Sequence, residues 1–300
     1  MGGYSVITTM KNEAAFLLEW VAHHKALGFD HIVICTNDCA DPTVQMALRL
    51  QEIGLARHHA TRIWPATSIQ RAALKQVRRY REVTRAQWLY VCDADEFLVV
   101  KLGDGSVRAL VDAASPVAEV IAVPWRVFGS AGRRVYEERP VTQQFTRAQA
   151  QGDGAMPDPV YPKSLFRGLE AVQRIGIHGP IPRADLGRDL RRELPGGVAW
   201  QVLHHKLFAQ ADYRFAQVKH YALRSRDSFL SIATGAGSIT ARRAWTSTIG
   251  TVSIWPKCLV MRSAAMTGRR RNGFHGCTRM RHWARCIGMP WPGTGTRSPD

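Results

Sequence analysis

Four short β-prone runs, Ser5–Thr9, Ile32–Cys35, Trp88–Cys92 and Val120–Pro124, are separated by segments with helical spacing. That alternation builds a mostly parallel sheet with helices on both faces. Between the first two runs, Phe16, Leu17, Trp20, Val21 and Leu27 fall on one helical face from Glu13 to Leu27, and Gly28 closes the helix. A second helix runs from about Thr43 to Ile53 and ends at Gly54, and a weak strand follows at Leu55–His59. A third helix, Ile69 to about Thr84, carries Arg71, Lys75, Arg78, Arg79, Arg81 and Arg85. Its basic residues read as a solvated face, with Arg71 set apart by its place near the helix start. In sheets of this kind ligands bind outside the carboxyl ends of the strands. The polar clusters of this chain all stand at such ends.

Asp93-Ala94-Asp95 follows the apolar run Trp88–Cys92 directly, with Glu96 beside it. Two carboxylates two residues apart can share one hard cation, Mg²⁺ or Mn²⁺, that bridges to diphosphate oxygens. Three acids at a strand end are costly unless a cation or a basic partner offsets them. The blander alternative is a pair that caps the next helix. The segment Thr9-Met10-Lys11-Asn12-Glu13 joins the first run to its helix, where backbone N–H groups favour anions and Lys11 adds a point charge. An ordinary N-cap by Thr9 or Asn12 explains it equally well. Asn37-Asp38-Cys39-Ala40-Asp41, after the second run, is either turn chemistry or a contact for a base or ribose.

The chain has no GxxxxGK[ST] loop, no HExxH, no GxSxG elbow and no GxGxxG after the first strand. Neighbouring histidines point in different directions, so His23-His24, His58-His59 and His204-His205 read as structural. Six cysteines without a CxxC pair argue against a zinc site or a disulfide framework. No stretch approaches the roughly 18 apolar residues of a membrane span, and the start lacks a secretion leader, so a soluble, cytoplasmic protein is expected.

The blocks KNEAAFLLEWVAHHKALGFDHIVICTNDCADPT, then Arg71, then WLYVCDADEFLVV, then VPWRVFGSAG together resemble the glycosyltransferase family 2-like group. Two further blocks resemble its later motifs: Lys163 through Gly176-Ile177-His178-Gly179-Pro180, and Lys219-His220-Tyr221-Ala222-Leu223-Arg224-Ser225. The resemblance implies a nucleotide-sugar-dependent enzyme of the GT-A fold. In that pattern Thr9, Lys11, Asn12 and Glu13 line the nucleotide pocket, Asn37 and Asp38 lie near base and ribose, and Arg71 joins the donor site. Asp93 and Asp95 hold a Mn or Mg ion and the sugar diphosphate, and Asp93 also contacts the donor. Trp125 and Phe128 shape the acceptor side, and His178 and His220 lie near diphosphate or acceptor. Asn37 departs from the pattern, which often has Asp there. The implied reaction is inverting transfer of the sugar to a saccharide or other hydroxyl acceptor. Glu96, His178 and His220 are the catalytic candidates, and Glu137, Glu138, Asp153 and Asp158 are further acids in suitable places. A nucleotidyltransferase and an impaired glycosyltransferase remnant stay open as alternatives.

The net charge of +17 is uneven: residues 231–300 carry +10 and the rest +7. Between Ser228 and Pro299 there is no Asp or Glu, while Trp245, Trp255, Trp283 and Trp291 stand without helical or strand period. A basic segment with neither helix nor Lys-rich run is a poor nucleic-acid binder, so no specific nucleic-acid partner is expected. The expected organisation is a GT-A-like domain over residues 1–230, with a donor half to about 100 and an acceptor half after it. Residues 231–300 read as a frameshifted continuation that stays disordered. Synonymous codons for Ser231–Pro256, read in another frame, give a charge-balanced stretch with the Asn-His pair that the group's pattern carries.

Overall fold

The computed structural model describes residues 3–63, 68–150, 160–200, 202–204, 207–208 and 212–228. The expected C-terminal tail lies outside the described residues, as do Asp153, Asp158 and the side chains of His204 and His205. The first half runs β1 (Tyr4–Met10), α1 (Ala14–Ala26), β2 (His31–Thr36), α2 (Thr43–Glu52), β3 (Arg57–Ala60), α3 (Ile69–Val77), α4 (Arg81–Thr84) and β4 (Trp88–Val91). Then come β5 (Glu96–Val100), α5 (Val107–Asp112), β6 (Val120–Val127), α6 (Val141–Gln144) and β7 (Pro162–Arg167). Short strands follow: β8 (Val172–Ile175), β9 (Pro180–Pro182), β10 (Arg192–Leu194), β11 (Val198–Ala199), β12 (Val202–His204), β13 (Leu207–Phe208) and β14 (Ala216–His220).

The main sheet has the order β11-β10-β6-β7-β4-β1-β2-β3, with β14 off this path, paired to β5 and β6. β1 pairs in parallel with β2 and β4, and β2 with β3, whereas β7 runs antiparallel between β4 and β6. The parallel strands alternate their faces. Val6, Ile32, Ile34, Trp88 and Tyr90 pack with Phe16, Leu17, Trp20 and Val21 of α1 in one buried cluster. Ile7, Val33, Cys35, Leu89 and Val91 pack with Ala73, Leu74 and Val77 of α3 in another. Helices therefore cover both faces, and the expected α/β class with a mostly parallel sheet is borne out. Chain order reverses between β1 and β4, since β2 and β3 lie on one side of β1 and β4 on the other. A crevice opens at such a reversal.

Two elements differ from the sequence expectation. The basic helix over Ile69–Thr84 is broken, because Tyr80 is extended (φ −72°, ψ 143°) between α3 and α4. Its hydroxyl lies 2.7 Å from His59 Nδ1 and Arg57 stacks on its ring at 4.4 Å, contacts that a continuous helix forgoes. Asp93–Asp95 caps no helix: it is the turn from β4 into β5. Where described, the paired histidines hydrogen-bond within the fold. His24 is buried and its Nδ1 bonds Trp20 O, while His23 Nε2 bonds Leu98 O; burial pushes the His23 pKa down to about 4. Among the described residues no helix is long and apolar enough to cross a membrane.

Candidate functional site

The crevice outside β1 and β4 is lined by Ile7, Thr8 and Thr9 from β1, Val91 and Asp93 from the end of β4, Gln70 and Leu74 from α3, and Ile177. Apolar strands deliver the polar ends: each buried run stops where its last residues emerge at the sheet edge. Thr8 Oγ1 is buried with no hydrogen-bond partner among the described atoms.

The Asp93–Asp95 turn is held from several sides. Trp20 Nε1 donates to Asp93 O and Glu96 O, both at 3.1 Å, so a core side chain of α1 fixes the backbone. Asp93 Oδ2 accepts from Lys163 Nζ at 2.7 Å, Asp93 Oδ1 accepts from Gln70 Nε2 at 2.9 Å, and Asp93 N donates to Glu96 Oε2 at 2.9 Å. Lys163 Nζ is also 3.3 Å from Glu96 Oε2 and donates to Ile177 O. The Lys163 and Glu96 side chains are fully buried. Burial pushes Glu96 up to about 7, against the pull of Lys163, with Asp93 adding to the rise. Burial alone would lower Lys163, but Glu96 and Asp93 outweigh it and hold its ammonium charged. The basic partner that three clustered acids require is thus Lys163, 70 residues away in sequence.

Asp95 faces the other way. Its Oδ2 lies 3.3 Å from His220 Nε2, and its side chain keeps 28% of its exposure. Burial raises the Asp95 pKa, but His220 and Arg224 outweigh it and hold the carboxyl below the usual range. Burial lowers His220, yet Asp95 and the neighbouring acids carry its pKa above the ordinary histidine value. His220 Nδ1 is buried without a partner. The Trp125 ring lies 4.5 Å from His220 and 5.2 Å from His178, with Tyr161 5.8 Å away, which makes an aromatic wall beside Asp95. His178 is exposed, and its Nδ1 lies 3.1 Å from Pro162 O. Since a carbonyl only accepts, Nδ1 carries the proton and the basic nitrogen of the neutral ring is Nε2.

The β1–α1 loop is built differently from its sequence expectation. Neither Thr9 nor Asn12 caps α1. Ala14 N donates to Asp41 Oδ2 at 2.9 Å and Glu13 N to Thr43 Oγ1 at 2.8 Å, so the cap comes from the end of the β2–α2 loop and the first residue of α2. Asn12 adopts a left-handed φ of 57° and accepts from Ala40 N through Oδ1, leaving Nδ2 buried and unpartnered. Glu13 points inward, to Arg224 Nη1 at 2.8 Å. Burial raises the Glu13 pKa, opposed by Arg224. Lys11 pairs with Asp38 at 2.5 Å in solvent, and Asn37 Nδ2 donates to Thr61 O.

The structure thus gathers Thr9, Asp93, Asp95, Glu96, Trp125, His178 and His220 around the ends of β1 and β4. Arg71 is exposed on α3, and its neighbour Gln70 reaches the turn. Phe128 is 6% exposed and packs on Tyr221 at 5.1 Å, which makes it core and takes it off the acceptor side. Burial likewise takes Glu96 out of the groups that can meet an acceptor hydroxyl. Glu137 pairs with Arg133. Sequence reasoning missed Gln70, Asp41 and the tasks of Lys163 and Arg224. The last two stand inside its later blocks, and that was the one signal for them.

A glycosyltransferase family 92 protein of Ricinus communis is 30% identical over 156 residues, which cover 48% of this chain and 26% of that protein. The chain is similar to glycosyltransferases of family 92. A family 92 protein of Oryza sativa subsp. japonica is 27% identical over 145 residues, 47% of this chain and 24% of that protein. The chain spans about a quarter of the length of the curated relatives it matches. The resemblance to glycosyltransferases is borne out, with family 92 the name the relatives carry. No family model matches the chain. Among solved structures, S. aureus TarS 1–349 aligns with a TM-score of 0.34 and 13% identity over 56% of this chain and 48% of that one.

Proposed function

We propose that the chain is a glycosyltransferase that moves a sugar from a nucleotide diphosphate donor to an acceptor hydroxyl. The observation that carries this reading is the crevice at the β1/β4 reversal. There Asp93 lines the crevice from one side of the turn, while Asp95 on the other side meets the aromatic wall, in a chain similar to family 92 glycosyltransferases. Asn12 Nδ2 and Thr8 Oγ1, buried without partners, supply polar atoms for the nucleotide end. Lys11 is the exposed cation at the α1 start, suited to the diphosphate.

The residues fit a divalent cation through Asp95. Its carboxylate is partly exposed, whereas both Asp93 oxygens are engaged by Lys163 and Gln70. Among the described residues no group of three His, Cys, Asp or Glu side chains gathers into a cage. Mg²⁺ commonly uses one or two carboxylates and takes its remaining ligands from phosphates and water. When bound, the cation neutralises charge on the departing diphosphate oxygen. Asp93, held by Lys163, keeps a fixed carboxylate on the crevice for the donor. Trp125 and His178 bound the acceptor side, where His178 Nε2 is the basic nitrogen able to take the hydroxyl proton. Direct attack on the anomeric carbon inverts it. The compartment we propose is the cytoplasm.

Thermal-shift titration with UDP-, GDP- and TDP-sugars, each with and without Mn²⁺, tests the reading. A bound donor at 100 times its Kd adds about 2.7 kcal/mol. Stabilisation by one nucleotide series, enhanced by Mn²⁺, is expected; none by any of the three overturns it.

A further inference from the structure

Arg224 bridges two loops that sequence places far apart. Its Nη1 donates to Glu13 Oε2 at 2.8 Å, across 211 residues, and its Nη2 donates to Ala94 O at 3.1 Å, across 130. The guanidinium stacks on Phe16 with Cζ 3.9 Å from the ring centre, and the side chain is 1% exposed. Ala94 is the middle residue of the Asp93–Asp95 turn, and Glu13 closes the β1–α1 loop. The next strand-end contact comes from the same segment: Tyr221 N donates to Asp95 O at 2.9 Å.

Arg224 itself sits on costly backbone: its φ is +46°, a region that residues other than Gly, Asn and Asp rarely adopt, and Asn12, next to Glu13, shares that region at φ +57°. Strain of this kind persists where surrounding structure enforces it, and it gathers at functional sites. A buried ion pair is also a poor way to gain stability, since well-packed apolar side chains do as well. Its planar fork does what an apolar contact cannot: it fixes two acceptors at a set separation.

We propose that Arg224 is a positioning residue that locks the β1–α1 loop to the Asp93–Asp95 turn, so that the nucleotide and diphosphate ends of the donor meet one rigid unit. This rests on the glycosyltransferase reading for its ligand but not for its coupling. Lysine at 224 keeps the charge and reaches Glu13, but it lacks the planar fork that holds Glu13 and Ala94 O together.

The test uses the full chain with Arg224→Lys, Arg224→Met and Glu13→Gln. Hydrogen exchange of the Glu13 and Asp93 amides reads the coupling with no ligand present. Both amides are expected to exchange about 10-fold faster or more in Arg224→Lys, and faster still in Arg224→Met. Glu13→Gln is expected to loosen the Asp93 amide, on the far loop, as well. Calorimetric titration with UDP and Mn²⁺, run well below each melting temperature, is expected to show a Kd raised about 10-fold or more. Unchanged exchange at the loop opposite the substitution overturns the proposal. So does a lowered melting temperature with unchanged Kd for UDP. If Arg224→Met does not fold, Arg224→Lys and Glu13→Gln decide the matter. If the unmodified chain binds no nucleotide while the two loops still loosen together, the glycosyltransferase reading fails and the coupling stands.

Discussion

Lys163 and Lys11 each pair with an aspartate at the strand ends of the same sheet, at 2.7 Å and 2.5 Å, yet they are different devices. Lys163 is fully buried between Asp93 and Glu96, whereas Lys11 keeps 46% of its exposure and Asp38 keeps 79%. Water already solvates the exposed pair, so forming it gains little. Buried charges have given up that solvation, and each then depends on the other to stay in the fold. Distance does not rank the two pairs; burial does. The buried lysine shapes the turn, and the exposed one remains available to a ligand.

The largest effect is expected at Lys163. Lys163→Met leaves Glu96 buried without its cation and should cost about 3–5 kcal/mol in urea unfolding. Adding Glu96→Gln to it should recover part of that loss. A Lys163→Met protein as stable as the parent would show the cluster to be decorative.

Asp95→Asn comes next, since Asp95 is the partly exposed acid of the turn. We expect donor affinity in the presence of Mn²⁺ to fall at least about 10-fold, about 1.4 kcal/mol, together with some loss of stability at pH 7 because His220 loses its carboxylate. Calorimetric titration decides it, and undiminished affinity would remove Asp95 from the cation site.

Glu119 lies between the two extremes, 13% exposed and paired with Arg188 at 2.7 Å. Arg188 is the main cause of a Glu119 pKa lowered to about 2, well below the usual glutamate value. A carboxyl lowered in the fold stabilises above its unfolded pKa, and that contribution fades as pH falls through the folded value. Glu119→Gln should therefore cost about 1 kcal/mol at pH 7 and progressively less toward pH 2. Equal losses at both pH values would contradict the pairing.

The smallest effect is expected at Lys11. Lys11→Ala should leave the melting temperature unchanged within error while raising the apparent KM for the donor. A large drop in melting temperature would mean that exposure is a poor guide to what a charge pair is worth.

The parallel half of the sheet was legible because buried strands appear as uninterrupted apolar runs such as Trp88–Cys92, bounded by helical spacing. The break at Tyr80 was not, since nothing local marks it: its causes are a hydrogen bond to His59 and a stacked Arg57, both from another strand. The Asp93–Asp95 turn could be picked out as chemistry because acids crowd there. What neutralises the crowding could not, because Lys163 and Arg224 come from segments 70 and 130 residues away from it. On α3 the neighbours Gln70 and Arg71 stand about 100° apart around the helix, a difference no local pattern reveals. Arg71 therefore points to solvent and Gln70 to the turn. Phe128 shows a different difficulty: an aromatic near a strand end looks the same whether it faces a ligand or Tyr221.

The position of β14 also sets when the edges of β5 and β6 can close. It pairs antiparallel with β5 and parallel with β6, so both strands keep an open edge until residues 216–220 have arrived. A nascent chain stopped at β7 would hold its β1–β4 layer with unpaired strand edges on the rest, the kind of surface that seeds aggregation. Pairings this far apart in sequence favour slow folding.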